Sequence, residues 1–224
     1  MTRNPGRVAE SLLLLGLTTV SGMVDAVAYL SLGHVFVANM TGNTVILGLA
    51  IGGTPDFSTL GCLVALVAFA TGAIVSGRLC KALHQRWLLI SLLVESVLLA
   101  AATAVAFADA RAQYPIIAAL GLAMGMRTAT VRLTGVSDIT TTVITSTLAW
   151  LGATSPLAGG HSVGAARRLG AIALFLAGAT AGAWLVPRTG PAVALLVATA
   201  VEVLATLAYT ILPKPPAPSA ARPR

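Results

Sequence analysis

The sequence predicts an all-α polytopic membrane protein, and three observations predict it: a charge-poor apolar composition, apolar stretches of helical length, and basic residues set mainly at their ends. Hydrophobic residues make up 57% of the 224, charged residues 9%, and the mean hydropathy is +0.90. A soluble domain carries roughly a quarter of its residues charged, so lipid must solvate much of this exterior. The apolar stretches lack the alternation over about ten residues of an outer-membrane strand. The net charge of +7 sits at segment ends, as topology signals do. It forms no aromatic-interleaved stripe, so nucleic acid is not an expected partner.

Apolar helical segments fall at about 9–31, 58–80, 87–107, 114–133, 165–186 and 191–212, each near the roughly 20 residues needed to cross. Arg3 and Arg7 precede the first. A secretion signal has an apolar run of about 7–15 residues and a small-residue cleavage site; this run is longer and lacks the site, so a retained first span is expected. Two further segments, about 34–52 and 138–152, start polar and are less apolar. Residues 1–212 read as one transmembrane domain, and 213–224, PKPPAPSAARPR, as a disordered cytoplasmic tail. Cys62 and Cys80 lie on one predicted helix, about 27 Å apart at its rise per residue, too far to bond to each other.

The chain reads as two repeats, about 9–107 and 114–212. Gly22-Met23 recurs as Gly125-Met126, Thr41-Gly42-Asn43 as Thr145-Ser146-Thr147, Phe69-x-x-Gly72-Ala73 as Phe175-x-x-Gly178-Ala179, and Val94-Glu95 as Val201-Glu202. Four matches in order at nearly constant offset indicate duplication. If all eight segments cross, Arg78, Lys81, Arg86, Arg127, Arg132 and Arg188 lie outside against eight basic residues inside, which is no bias. If 34–52 and 138–152 instead enter and leave on one side, only Arg111 and Arg188 of the 14 Lys and Arg fall outside. That is the distribution a cytoplasmic membrane imposes. Each repeat then crosses three times, so the second is inverted, a plan common in secondary transporters. The expectation is six full spans, two short re-entrant or broken polar helices, and both termini cytoplasmic.

Ionisable residues inside spans are functional candidates because their burial is costly. Asp25 shares a small, polar helix face with Thr18, Gly22 and Tyr29. It reads either as a pathway residue or as the structural partner of Arg127 or Arg132. Glu95 and Glu202 occupy matching central positions and read as proton-responsive groups or as helix-to-helix hydrogen bonds. Asn39, Thr41 and Asn43, with Thr140, Thr141, Thr142, Thr145, Ser146 and Thr147, open the two short segments. Gly42 is placed to break the backbone and Asn43 to cap the helix after it. Re-entrant helix N-termini favour anionic groups; otherwise these Ser and Thr bond their own backbone. Gly48-x-x-x-Gly52, Gly121-x-x-x-Gly125 and Gly178-x-x-x-Gly182 read as packing faces. His34, His84 and His161 read as surface loop residues, since no metal-ligand spacing or nucleophile elbow occurs. No cofactor, metal or enzymatic activity is expected.

The run GMVDAVAYLSLGHVFVANMTGNTVILGLA at 22–50 resembles the signature of the YoaK family of bacterial integral membrane proteins, in Gly22, Asp25, Phe36, Asn39, Thr41, Gly42 and Asn43. GLAMGMRTATVRLTGVSDITTTVITSTLAWLG at 121–152 resembles its second signature, with two departures. Arg127-Thr128 stands where the family tends to Gln-Asn, and Thr145-Ser146 where it tends to Thr-Gly. The resemblance covers about 12–212 and implies a bacterial membrane protein without an assigned activity.

The sequence therefore points to a small secondary transporter or ion-coupled permease, with the bilayer and a small solute or ion as partners and a homo-oligomer left open. Asp25, Asn39, Thr41, Asn43, Thr142, Thr145, Glu95 and Glu202 would line its path, an anion suiting the helix N-termini, and Asp25→Asn would abolish flux. The second reading is a non-transporting accessory or assembly protein that holds a partner through Gly-lined helix faces.

Overall fold

A computed structural model describes residues 5–55, 57–83, 86–109, 111–134, 144–160 and 164–211, with side chains except those of 5–12, 14 and 15. Among these residues the chain forms eight α-helices and no strand. They are α1 Pro5–Ser31, α2 Met40–Ile51, α3 Thr59–Leu83, α4 Trp87–Ala108, α5 Gln113–Leu133, α6 Ile144–Ala153, α7 Ala165–Thr189 and α8 Pro191–Ile211; Pro156–Ala158 adds a 3-10 turn. The tail, His84, His161 and Thr140–Thr142 lie outside the described residues.

Five helices, α3, α4, α5, α7 and α8, are long and apolar enough to cross a membrane. The 27-residue α1 packs among them. Pro5 and Pro191 open α1 and α8, where the missing N–H costs nothing because the first turn has no acceptor for it. Helix α7 outruns its predicted end, carrying Pro187 within it and stopping at Gly190, whose φ of 87° suits glycine. The polar segments yield short helices: α2 has 12 residues and α6 has 10. At 1.5 Å per residue they reach about 18 and 15 Å, well short of a hydrocarbon core of about 30 Å.

The helices pack across the repeats rather than within them. Helix α1 lies on α7 and α3 on α5; α4 packs on α5 and α8 on α1; α4 and α8 meet in the middle. Exchanging the halves (α1 with α5, α2 with α6, α3 with α7, α4 with α8) converts each of these contacts into another of the set. Glycines make the two principal crossings possible. A Cβ on Gly22 would run into the Phe175 carbonyl, and one on Gly178 into that of Thr19. On the other pair, Gly72 faces the Leu122 carbonyl and Gly125 that of Phe69. These are the positions aligned in the sequence as Gly22/Gly125 and Gly72/Gly178, and each of the four makes a close backbone contact of the kind small residues allow between helices.

Side-chain contacts give the helix directions. Ser76 hydrogen-bonds Thr130 at 2.9 Å, and Gly121 lies against Ala65 and Ala68, so numbers rise together and α3 runs parallel to α5. On α1 and α7, Thr19 lies at Gly178 and Met23 and Ala26 at Gly182, again parallel. Between α4 and α8, Ser96 meets Thr206 at 3.3 Å and Thr103 meets Thr199 at 2.9 Å. Numbers rise on one helix and fall on the other, so these two matching helices are antiparallel.

Of the three G-x-x-x-G pairs, Gly121/Gly125 and Gly178/Gly182 pack helices as expected. Gly48 does not: a Cβ there would meet nothing within 4 Å, and Gly52 faces only carbonyls of its own helix turn. With α2 so short and exposed along this face, no neighbour reaches it.

Candidate functional site

Arg127 sits near the middle of α5, 1% exposed, in the seam where α1, α4, α5 and α8 converge. Its Nε donates to Glu95 Oε2 of α4 at 3.1 Å, and its Nη2 donates to Glu202 Oε2 of α8 in a short contact. Its Nη1 donates to the Leu17 carbonyl at 3.0 Å and to Ser21 Oγ at 3.2 Å, both on α1. The Ser21 hydroxyl itself donates to the Leu17 carbonyl at 3.2 Å. One guanidinium thus ties three other helices together, using its planar fork of donors as an ammonium could not.

The charges do not balance. Both glutamates are fully buried, so the seam holds two carboxylates against one cation. Each carboxylate gives one oxygen to Arg127, and Glu95 Oε1 and Glu202 Oε1 have no hydrogen-bond partner. A third orphan, Ser91 Oγ, is also fully buried, one turn before Glu95 and on the same face of α4. Leu17, Leu92 and Leu99, each 1% exposed, lie on the same helices, and between α4 and α8 run the buried Ser96–Thr206 and Thr103–Thr199 contacts. There water does little to offset the charge, and unsatisfied polar atoms are costly.

Asp25 has a different occupation. It lies one turn beyond Ser21 on α1, 3% exposed. Its Oδ1 accepts from the backbone N–H of Val37 at 2.8 Å and of Ala38 at 2.7 Å. The expected pairing with Arg127 or Arg132 is not formed: Arg127 is engaged by the glutamates, and Arg132 is exposed near the end of α5. The carboxylate instead pins the loop that leads into α2.

Asn43 completes that clasp. Its Oδ1 accepts from Phe36 N–H at 2.8 Å and its Nδ2 donates to the Phe36 carbonyl at 2.6 Å, holding both backbone polar groups of one residue. The expected roles of Asn43 as cap and Gly42 as break are therefore corrected. Helix α2 starts earlier, at Met40, and its N-cap is Asn39, whose side chain accepts from Gly42 N–H at 3.1 Å. Gly42 is helical, and its missing Cβ makes room for the Phe36 ring. Phe36 stacks on Tyr29 with ring centroids 5.0 Å apart, and His34 packs edge-on to Tyr29 at 5.1 Å. His34 is thus a half-buried member of an aromatic cluster rather than a surface residue.

The remaining expected pathway residues do not converge. Asn39, Thr41 and Thr145 are exposed at the starts of α2 and α6, and Thr142 lies outside the described residues. Thr147, the repeat counterpart of Asn43, is buried. What the sequence reading missed is the grouping of Arg127 with both glutamates and with Ser91 and Ser21. The signal available was depth: one Arg near the middle of an apolar helix, and a Glu near the middle of each of two others. Elsewhere, Leu63, Val64, Val67, Ala68, Thr71, Ala118 and Leu122 line an open groove of about 390 Å³ between α3 and α5. Its walls are almost wholly apolar, as a lipid-facing surface would be.

Residues 13–208 match a family described as a protein of unknown function, DUF1275. A UPF0700 transmembrane protein, YoaK, of Bacillus subtilis (strain 168) is 38% identical over 146 residues. That match covers 62% of this chain and 64% of the relative's own length. No solved structure matches. With the family match running from α1 into α8 and membrane-length apolar helices along the fold, the chain belongs to the DUF1275 family of membrane proteins.

Proposed function

We propose that this protein is a small secondary transporter or ion-coupled permease of the bacterial cytoplasmic membrane, and not an enzyme. The observation that carries the reading is the buried Glu95–Arg127–Glu202 cluster, lying where α4, α5 and α8 meet and setting two carboxyl groups against one guanidinium. A packed membrane core gains nothing from an unbalanced charge, whereas a coupling site needs a group whose charge changes during the cycle.

The topology we infer is six spans with α2 and α6 not crossing, the repeats inverted and both termini cytoplasmic. The antiparallel register of α4 and α8 supports it. If all eight helices crossed, α4 and α8 would run the same way. Three crossings per repeat reverse one against the other and leave α1 parallel to α7 and α3 parallel to α5. The loop pinned by Asp25 is joined to the cluster through consecutive turns of α1, at Leu17, Ser21 and Asp25. That gives a change of charge a direct route to the re-entrant segment.

The accessory reading relied on Gly-lined faces free to hold a partner. Gly121, Gly125, Gly178 and Gly182 are instead used inside the molecule, which weakens that reading on two of the three faces, while Gly48 and Gly52 of α2 stay open. The test is a solute-panel thermal-shift screen at two pH values, followed by flux of any stabilising solute in proteoliposomes. We expect flux to be lost in Glu95→Gln/Glu202→Gln and retained in Asp25→Asn. Wild-type flux with wild-type coupling in the double variant would refute the cluster's role.

A further inference from the structure

We propose that the seam between α4, α5 and α8 is a binding site for one proton, shared by Glu95 and Glu202. The inference deepens the transport reading and rests on it only for the proton's use, not for its presence.

The geometry of the guanidinium carries the argument. Nε and Nη2 form one edge of the fork, the edge that ordinarily receives both oxygens of a single carboxylate. Here the edge is divided: Nε serves Glu95 and Nη2 serves Glu202. Two carboxylates from different helices are thereby held side by side against one positive charge. Like charges at such range in an apolar seam oppose ionisation of both, as in paired-carboxylate sites that hold a single proton between them. The proton comes from a hydronium ion of bulk solvent, whose broken O–H bond leaves water; it forms an O–H bond on Oε1 of one glutamate and leaves the cluster neutral. Oε1 is the available oxygen, because Oε2 of each residue already accepts from Arg127 and both Oε1 atoms are unpartnered.

A metal cation is the competing occupant, and the donor set disfavours it. Hard cations ask for about six oxygens. The described residues offer three unpartnered ones, Glu95 Oε1, Glu202 Oε1 and Ser91 Oγ, amid leucines. A proton needs one; Ser91 lies one turn before Glu95 on α4, its hydroxyl unpartnered among the described residues. The charged groups on the packed elements are few. Helix α5 supplies Arg127, with Arg132 exposed; α1 supplies Asp25, committed to its loop; Arg78 and Lys81 of α3 are exposed. Glu10 lies on α1 with its side chain outside the described residues. From α8, Tyr209 packs against the leucines flanking the seam.

Infrared difference spectroscopy on the full chain in detergent at neutral pH tests this, reading the C=O stretch of a protonated carboxyl that shifts in D2O. Wild type should show a band of one carboxyl. Glu95→Gln and Glu202→Gln should each lose it completely, because one carboxylate then balances Arg127. Arg127→Met should raise it about twofold, and Asp25→Asn should leave it unchanged. Melting temperatures of the single Gln variants close to wild type show that they fold. A wild type with no such band, or a band removed by Asp25→Asn and not by the Glu variants, overturns the site. A sodium-dependent rise in melting temperature without the band overturns it in favour of a metal cation. Flux measured beside it separates the proposals: the band without flux refutes transport alone, and flux without the band refutes the proton site alone.

Discussion

Replacing Arg127 with Met keeps much of the stem volume and removes the guanidinium, so it isolates what the cation does. Four donated hydrogen bonds disappear, to Glu95, Glu202, the Leu17 carbonyl and Ser21 Oγ. Two buried carboxyl groups lose their counter-charge and must both be held protonated. Breaking a buried ion pair by removing one partner costs about 3–5 kcal/mol, and two carboxyls losing one cation place this variant toward the upper end. Neutral hydrogen bonds between membrane helices average only about 0.6 kcal/mol. Thr103→Val, which loses the bond to Thr199, is therefore the control for an ordinary polar contact. The assay is equilibrium unfolding in mixed micelles followed by circular dichroism. The deficit of Arg127→Met should shrink as pH falls, since its native state takes up two protons on folding where wild type takes up one, and acid favours that uptake. It should also shrink in Arg127→Met/Glu95→Gln/Glu202→Gln, where no charge remains to desolvate. If Arg127→Met lies within about 1 kcal/mol of wild type, or the three substitutions add with no coupling of the 0.5–3 kcal/mol expected for residues in contact, the cluster is not an electrostatic unit.

Three further outcomes follow from the geometry. Gly22→Leu should destabilise by about 1–3 kcal/mol or more through overpacking, because its Cβ would meet the Phe175 carbonyl, while Gly48→Leu, with open space around it, should be near neutral; thermal melting compares them, and equal effects would refute the crossing. Asp25→Ala should cost about 1–3 kcal/mol for each stranded amide, that is Val37 and Ala38, whereas Asp25→Asn keeps an acceptor and should lose less. Hydrogen exchange at those amides locates the damage, and unchanged protection in Asp25→Ala would sink the clasp. Reporter fusions after Pro55 and Ser155 should place the first outside and the second inside; residue 55 inside would end the re-entrant topology.

Membrane class and the positions of the apolar helices were legible because each depends on local composition. Glu95 and Glu202 stood out because a carboxylate in an apolar helix is conspicuous wherever its partner lies. The partner was not legible. Arg127 is 32 residues from Glu95 and 75 from Glu202, and nothing local distinguishes a partner for those residues from one for Asp25. Asp25 misled for the opposite reason. Its acceptors' partners are backbone amides, which carry no sequence signal, so a buried Asp that organises a loop looks the same as one that binds a solute. Asn43 likewise grips the backbone N–H and C=O of Phe36, and its helix begins three residues before it because Asn39 caps that end.

The duplication we infer accounts for the unbalanced charge. On that inference a glutamate near the middle of the last helix of an ancestral repeat becomes two, and because helices α4 and α8 pack against each other, the copies are brought together. The same symmetry would demand two cations, but only one is present. The counterpart of Arg127 at the offset set by Gly22/Gly125 is Val24, fully buried in the apolar core. A second arginine there would need its own room and acceptors in a seam already filled by leucines. One cation for two carboxylates leaves a single negative charge to be met from outside the chain, and it is met at the place where both halves of the fold are in contact. A charge there bears on α4, α5, α8 and, through Ser21, on the helix whose next turn holds the loop before α2. Its gain or loss therefore acts on both repeats at once, which no single charge on one repeat's outer face could do.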